Sequence, residues 1–297
     1  MTERRVELAA GVYHLQGGSN VGLIVAGGEA LVIDAGLDAD AAKAILRHAA
    51  ELGATVRGVI ITHAHADHFG GATELARRTG AGVYAAGLEG AIVGQPLLEP
   101  LYLYAGASPI QELRHKFTLA KAGVMTQPLA LGSTRIAGFA VEIVSLAGHA
   151  PAQVGVRYGE ALFTADAFFP AETLEKHGIP FCVDLDEALR SLDAIERTPA
   201  AWYAPGHGPA LREPAAVIAA NRRRLERIRE LCLEALAQPA EVGAVVRHVA
   251  GSLGAALRDP LSYLLGQTTV LAGLASCQRA GLACAEVCDN RLVWRRN

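Results

Sequence analysis

Charge and aromatic side chains are both sparse in this chain: Asp, Glu, Lys and Arg together make 19% of its 297 residues, and Phe, Trp and Tyr only 5%. Against 51% hydrophobic residues, and with 32 Gly beside 13 Pro, this balance excludes intrinsic disorder, a collagen-like repeat and a coiled coil. A one-sided charge is also missing. The formal net charge is -3, so nothing global draws the chain to nucleic acid or to an anionic membrane, and either partner requires a local patch. Cysteine is unpatterned: Cys182, Cys232, Cys277, Cys284 and Cys288 form neither a CxxC nor a disulfide framework, which suits a reducing compartment and a cytoplasmic location. The opening MTERRVELAAGVYHL breaks its apolar run at Glu7 and Gly11, so no secretory leader is expected. Residues 260–278 carry no charge over nineteen positions, which is long enough to span a bilayer. Pro260, Ser262, Gln267, Thr268, Thr269 and Ser276 inside the run point instead to a buried helix, and no membrane partner is expected.

The length allows one large domain or two modest ones around a sizeable core. Short apolar runs at Val12–Leu15, Val21–Val25 and Ala30–Asp34, separated by GGSN and GGE, predict strands joined by turns. Ala42, Ile45, Leu46 and Ala49 repeat at helical spacing, and Val56–Thr62 returns as a strand. A helix over 72–79 and an extended segment over 82–85 follow. Residues 88–130 lose periodicity and mix Leu97, Leu98, Leu101, Tyr102 and Phe117 with Pro96, Pro100 and Pro109. Two readings stand for this insertion, a lid over a site or a helical excursion packed on the scaffold. Strand character resumes from Leu131, with runs at 140–146, 154–158, 161–164 and 201–204 and a helix near 186–197.

Composition shifts after Glu213-Pro214. Residues 221–297 hold eleven Arg against seven Asp and Glu, a net of +4, which leaves -7 for residues 1–220. Helices over 217–235, 240–250 and 262–280 followed by a hairpin over 282–294 give the outline of a winged-helix module. The expected domains are therefore 1–213, carrying the insertion 88–130, and 214–297. A basic helix face used for packing or dimerisation is the plainer use of the tail, because its third helix, which would read nucleic acid, has almost no basic residue before Arg279. A homodimer through tail or insertion is compatible with the sequence.

The sharpest signal is His63-Ala64-His65-Ala66-Asp67-His68, directly after a strand. Three imidazoles and a carboxylate within six residues are a poor way to fill a core, where each polar group needs its own partner, and a good way to hold a metal. His149, Asp166 and His207 each follow a predicted strand end, where α/β proteins keep their chemistry. Imidazole and carboxylate donors without thiolate suit a divalent ion, with Zn²⁺ the leading choice and Fe or Mn the others. No GxSxG elbow competes, and the GGSN at 17–20 lacks the GxxxxGK[ST] pattern and reads as a hairpin turn.

This ordered set resembles the metallo-β-lactamase superfamily of hydrolases, whose pattern is HxHxDH, then His, then Asp, then His. The match runs from about Gly18 to Gly208 and includes the Asp34-Ala35-Gly36 turn. It implies an α/β fold (α+β in some schemes), an αββα sandwich with the site at one edge. It also implies a ligand set: His63, His65 and His149 for one metal, Asp67, His68 and His207 for the second, and Asp166 bridging them. The implied chemistry is hydrolysis by a metal-bridging hydroxide, with Asp67 accepting a hydrogen bond from that hydroxide and aiming it. Asp166 stands where one major group of true β-lactamases has cysteine, and resembles the glyoxalase II-like, lactonase and nuclease (LACTB-like) branches. A small ester or thioester is the expected substrate, with an endoribonuclease or phosphodiesterase, or a lactonase, as the alternative. The winged outline of the tail differs from the helical glutathione-binding domain of glyoxalase II, which puts glutathione recognition in doubt.

Overall fold

Alternation along the strands sorts their side chains into two different cores. In the computed structural model, which describes residues 4–297 with the side chain at 177 excepted, the first sheet holds seven strands in sequence order: β1 (Arg4–Ala9), β2 (Val12–Gln16), β3 (Val21–Ala26), β4 (Glu29–Ile33), β5 (Thr55–Ile61), β6 (Gly82–Ala85) and β7 (Gln127–Pro128). The second sheet has the order β12 (Trp202–Pro205), β11 (Ala161–Ala165), β10 (Val154–Tyr158), β9 (Phe139–Ser145) and β8 (Gly132–Ile136). Ile24, Leu31, Ile33 and Ile60 of the first sheet pack against Phe139, Val141, Ile143, Val156 and Phe163 of the second. Their neighbours Leu23, Val32, Val59 and Ile61 face the other way, onto α1 (Ala39–Glu51) and α3 (Ala72–Thr79). This period-two division between two buried faces is what a sheet covered on both sides demands.

The outer face of the second sheet is closed by helices, which follow the short α6 (Ala171–His177) in the chain. Leu162 joins Leu185, Leu192 and Ile195 of α7 (Leu185–Arg197) and Ile218, Leu225 and Ile228 of α8 (Ala215–Ala235) in one cluster, which continues through α9 (Val242–Ser252) and α10 (Pro260–Arg279) to Trp294. The tail ends in a hairpin, β13 (Ala283–Cys288) with β14 (Arg291–Arg296), tied back by a bridge between Ala240 and Trp294. Helix, helix, helix, hairpin is therefore the observed order, and this tail shares its core with residues 146–203 instead of building a separate one. Asp259 opens α10 with a capping box and Pro260 at its first turn. α10 buries Thr269 and most of its second half, including Val270, Ala272, Leu274, Ser276 and Cys277, which accounts for much of the long uncharged run, while Tyr263 and Leu271 stay exposed; among the described residues no helix is long and apolar enough to cross a membrane.

One feature departs from the expected outline. Arg4–Ala9 forms an edge strand on β2 with a bulge between Glu7 and Ala9, its exposed charged residues having hidden the alternation. The insertion is partly helical, with α4 (Gly87–Gly94) and α5 (Leu98–Leu103) separated by the loop that holds Pro96, and it seats Leu103 and Leu113 in the interior.

Candidate metal centre

All the strand ends that carry the expected ligands meet at one edge of the sandwich. His63 and His65 follow β5, His149 follows β9, Asp166 follows β11 and His207 follows β12, while Asp67 and His68 sit on the one-turn helix α2 (Ala66–Phe69). The donor atoms of His63, His65 and His149 lie within 4.8 Å of one another, and so do those of Asp67, His68 and His207. Asp166 stands between the two groups: its Oδ2 is 3.6 Å from His149 Nε2 and 3.3 Å from His207 Nε2, and its Oδ1 is 3.6 Å from His68 Nε2. All seven sequence-predicted residues are thus brought together.

Outer partners decide which ring nitrogen faces inward. His149 Nδ1 donates to the carbonyl of Phe181 (3.1 Å) and His207 Nδ1 to that of Gly18 (2.9 Å), which leaves each Nε2 for the site. His68 Nδ1 donates to Asp34 Oδ2 at 2.9 Å. Thr62 donates its hydroxyl to Asp34 and accepts from His63 Nδ1 at 3.1 Å, so Asp34 orients two imidazoles, one through a relay. Asp34, His63 and His68 also form a compact triplet. There the carboxylate is spent on Nδ1 and on the Thr62 hydroxyl and backbone amide, behind the rings.

The inward atoms fit cations. His63 Nε2, His68 Nε2 and Asp166 Oδ1 are buried and, among the described residues, have no hydrogen-bond partner. His65 Nδ1 and His149 Nε2 face each other at 2.9 Å, two nitrogens that are both acceptors when neither is protonated. Buried polar atoms without partners are costly, and lone pairs converging on one point are satisfied together by one cation. Electrostatics divides the centre. Burial, then the neighbouring imidazoles, push His63 and His65 well below the ordinary histidine range, and burial also lowers His149. Burial opposes charge on His68 as well, but the carboxylates of Asp67, Asp166 and Asp34 override it and raise that imidazole to about 10. Burial likewise opposes charge on Asp166, yet His207 and His68 hold it ionised well below the usual carboxylate range.

Two glycines make room. A Cβ on Gly206 would collide with Asp166 Oδ1, and one on Gly148, whose φ is +123°, with the backbone of Ala188. Beside the ligands opens a cavity of about 810 Å³. Its walls include Phe169 and Phe181 from the second half of the sandwich, Phe117 from the insertion, and Leu257, Leu265 and Gly266 from the tail. Phe169 stacks on His207 at a ring-centroid distance of 6.4 Å, and Phe181 meets His65 edge-on at 5.3 Å.

Some contributors were missed in the sequence. The GGSN segment is a turn between β2 and β3, as expected, but it also straps the second metal half. Asn20 Nδ2 donates to the carbonyls of Pro205 (3.0 Å) and Gly208 (2.7 Å) on either side of His207, and Ser19 Oγ donates to the Asp67 carbonyl. Glu89 and Glu99 of the insertion are buried beside the site, and burial raises both carboxyls, that of Glu99 further through the charge of Asp67.

Comparison with known proteins agrees with this geometry. The curated hydroxyacylglutathione hydrolase of Hahella chejuensis is 28% identical over 179 residues, 59% of this chain, and the chain spans about half (55%) of that relative's length. Among solved structures, a metallo-beta-lactamase family protein of Thermus thermophilus superposes with a TM-score of 0.74 at 19% identity, covering 98% of this chain and all of that one. A beta-lactamase domain protein of Burkholderia ambifaria gives 0.71 at 19% identity over the whole of this chain and 94% of its own. The fold that these structures share with the chain includes the C-terminal helices. The model of the metallo-beta-lactamase superfamily matches residues 15–207, an interval that begins in β2 and ends on the last of the clustered histidines. By that match, which encloses both donor clusters, the chain belongs to the metallo-beta-lactamase superfamily.

Proposed function

We propose that the chain hydrolyses small esters or thioesters with an apolar acyl part, using two divalent ions, with Zn²⁺ the best match to the donors. In this reading His63, His65 and His149 hold one ion, Asp67, His68 and His207 the other, and Asp166 serves both. The observation that carries the substrate class is the cavity wall: three phenylalanines, Leu174, Ile179, Leu257 and Leu265 surround the opening to His149, Asp166 and His207, with Lys176 the one lysine or arginine among the lining residues. Such a wall removes apolar surface from water and offers a polyanion little to bind. The name of the Hahella relative, a hydroxyacylglutathione hydrolase, supports acyl transfer to water on this scaffold.

When bound, the ions supply Lewis-acid polarisation of the attacked carbonyl and a water acidic enough to attack near neutral pH. The side chains do the rest. Asp67, a quarter exposed to the cavity and 3.5 Å from His207 Nε2, accepts a hydrogen bond from the attacking water and aims it. Phe169 and Phe181 exclude bulk water beside His207 and His65, which strengthens every charge interaction inside. Residues 214–297, which we read as a winged-helix-like module, supply the wall at Leu257, Ser262, Leu265 and Gly266, a substrate-binding use that needs no nucleic acid.

The test is parallel turnover by metal-loaded protein of an acyl thioester, an aryl ester, a lactone and a short RNA. Preference for the acyl ester or thioester, growing with acyl length, is expected. RNA cleavage with no carbonyl turnover would overturn the proposal.

A further inference from the structure

Glu89 lies in the first turn of α4, inside the insertion, and is 1% exposed. Its two carboxylate oxygens are divided between two distant backbone amides: Oε2 accepts from Ala64 N at 2.8 Å and Oε1 from Ala152 N at 2.7 Å. Ala64 is the residue between His63 and His65. Ala152 lies three residues after His149, in the same loop. One buried side chain thus spans the two loops that carry the first cluster, and among the described residues no hydrogen bond joins it to Asp67, His68 or His207.

We propose that Glu89 is a positioning residue for the first metal cluster, a carboxylate bridge that fixes the His63–His65 loop against the His149 loop and so sets the affinity of that cluster alone. The proposal rests on the ligand assignment under Proposed function. The physics is direct. Each bond pairs a backbone amide with a carboxylate, the stronger class of hydrogen bond, and their lengths sit at the short end of the N–H···O range. His65 Nδ1 and His149 Nε2 face each other across the gap that the bridge spans. Relaxing the bridge lets these two nitrogens move apart, so the loss falls on the ion they would share. Asp67, His68 and His207 have other supports, in Asp34 and the 17–20 strap, and these do not pass through Glu89. The bridge also ties the insertion to the site, since a helix of the 88–130 segment, read from sequence as lid or excursion, here holds the scaffold of the ligands.

The experiment is a Co²⁺ titration of metal-stripped full-length protein followed by visible absorption, on wild type, Glu89→Gln and Glu89→Asp, with Val93→Ala as control. Val93 is fully buried on the same helix but makes none of these bonds. Wild type is expected to take up two equivalents. Glu89→Gln keeps the volume but presents an NH2 to one of the two amides, and Glu89→Asp shortens the reach, so each is expected to weaken one equivalent by roughly 10- to 100-fold, the effect typical of partners behind metal ligands. The other equivalent keeps its affinity and spectrum. Val93→Ala is expected to lower the unfolding midpoint while leaving both equivalents unchanged. Unchanged binding in both Glu89 variants would overturn the proposal, and so would equal weakening of both equivalents. Fewer than two equivalents in wild type would refute the ligand assignment itself, and the proposal with it.

Discussion

The two halves of the metal centre are built by different means. His63, His65 and His149 form an imidazole set kept uncharged by burial, and their loops are held from outside by a carboxylate that bonds only backbone. Asp67, His68 and His207 include an acid, their imidazoles are raised by the neighbouring carboxylates against the opposing effect of burial, and they are strapped by backbone carbonyls and the side chains of residues 18–20. The difference teaches that similar ligands do not imply similar support. One half depends on the insertion and the other on a turn of the first sheet; Asp166 is the ligand that stands between them, and behind the rings Asp34 reaches His68 directly and His63 through Thr62.

The comparison breaks most completely at that shared residue. Asp166→Ala leaves His149 Nε2, His207 Nε2 and His68 Nε2 without the carboxylate 3.3–3.6 Å away, so activity is expected to fall by more than the roughly 100-fold that outer partners cost, with weaker binding of both ions. Steady-state rates and metal content check this together.

Acid sharpens the comparison next, through His14. This buried imidazole bonds the Pro205 carbonyl at 3.2 Å beneath the His207 loop, and burial lowers its value from 6.5 to about 4. The unfolded chain therefore takes up a proton between pH 6.5 and 4 that the folded chain refuses. The stability this group contributes is whole above pH 6.5, falls by about 3 kcal/mol as pH drops to 4, and levels off below that. Denaturant unfolding across this range should show a slope that the variant His14→Gln lacks. An identical slope in both would remove His14 from the account.

A smaller effect is expected at the strap. Asn20→Ala removes the side-chain bonds to the carbonyls of Pro205 and Gly208 around His207, leaving His14 as the side chain bonded to the Pro205 carbonyl, and should weaken the second equivalent of metal by about 10- to 100-fold while sparing the first, the mirror image of Glu89→Gln. A metal titration reads this directly, and equal loss at both clusters would contradict the division.

The legibility of these parts followed their locality. Four ligands stand within six residues at a strand end, so residue type and spacing alone announced a metal, and His149, Asp166 and His207 were found because each follows a β run and completes a family order. The two cores were implicit in the alternation of β3, β4 and β5. Glu89 and Asn20 were not legible, because both act on main-chain atoms far away in the chain: Glu89 on the amides of residues 64 and 152, and Asn20 on the carbonyls of 205 and 208. Main-chain groups are the same at every position, so no residue pattern marks the recipient. GGSN is moreover a true turn, and its second task left no trace in composition. In α4 and α5 the obstacle was local, since Pro96 and Pro100 and the glycines of 87–94 interrupt the helical period even though the backbone stays helical between them.

The central claim is that two separate clusters joined by Asp166 hold two metal ions. Anomalous diffraction from crystals of the zinc-loaded protein tests it most directly. Two peaks are predicted, one among His63, His65 and His149 and one among Asp67, His68 and His207, both beside Asp166. A single peak, or one placed behind the rings between Asp34, His63 and His68, would contradict it.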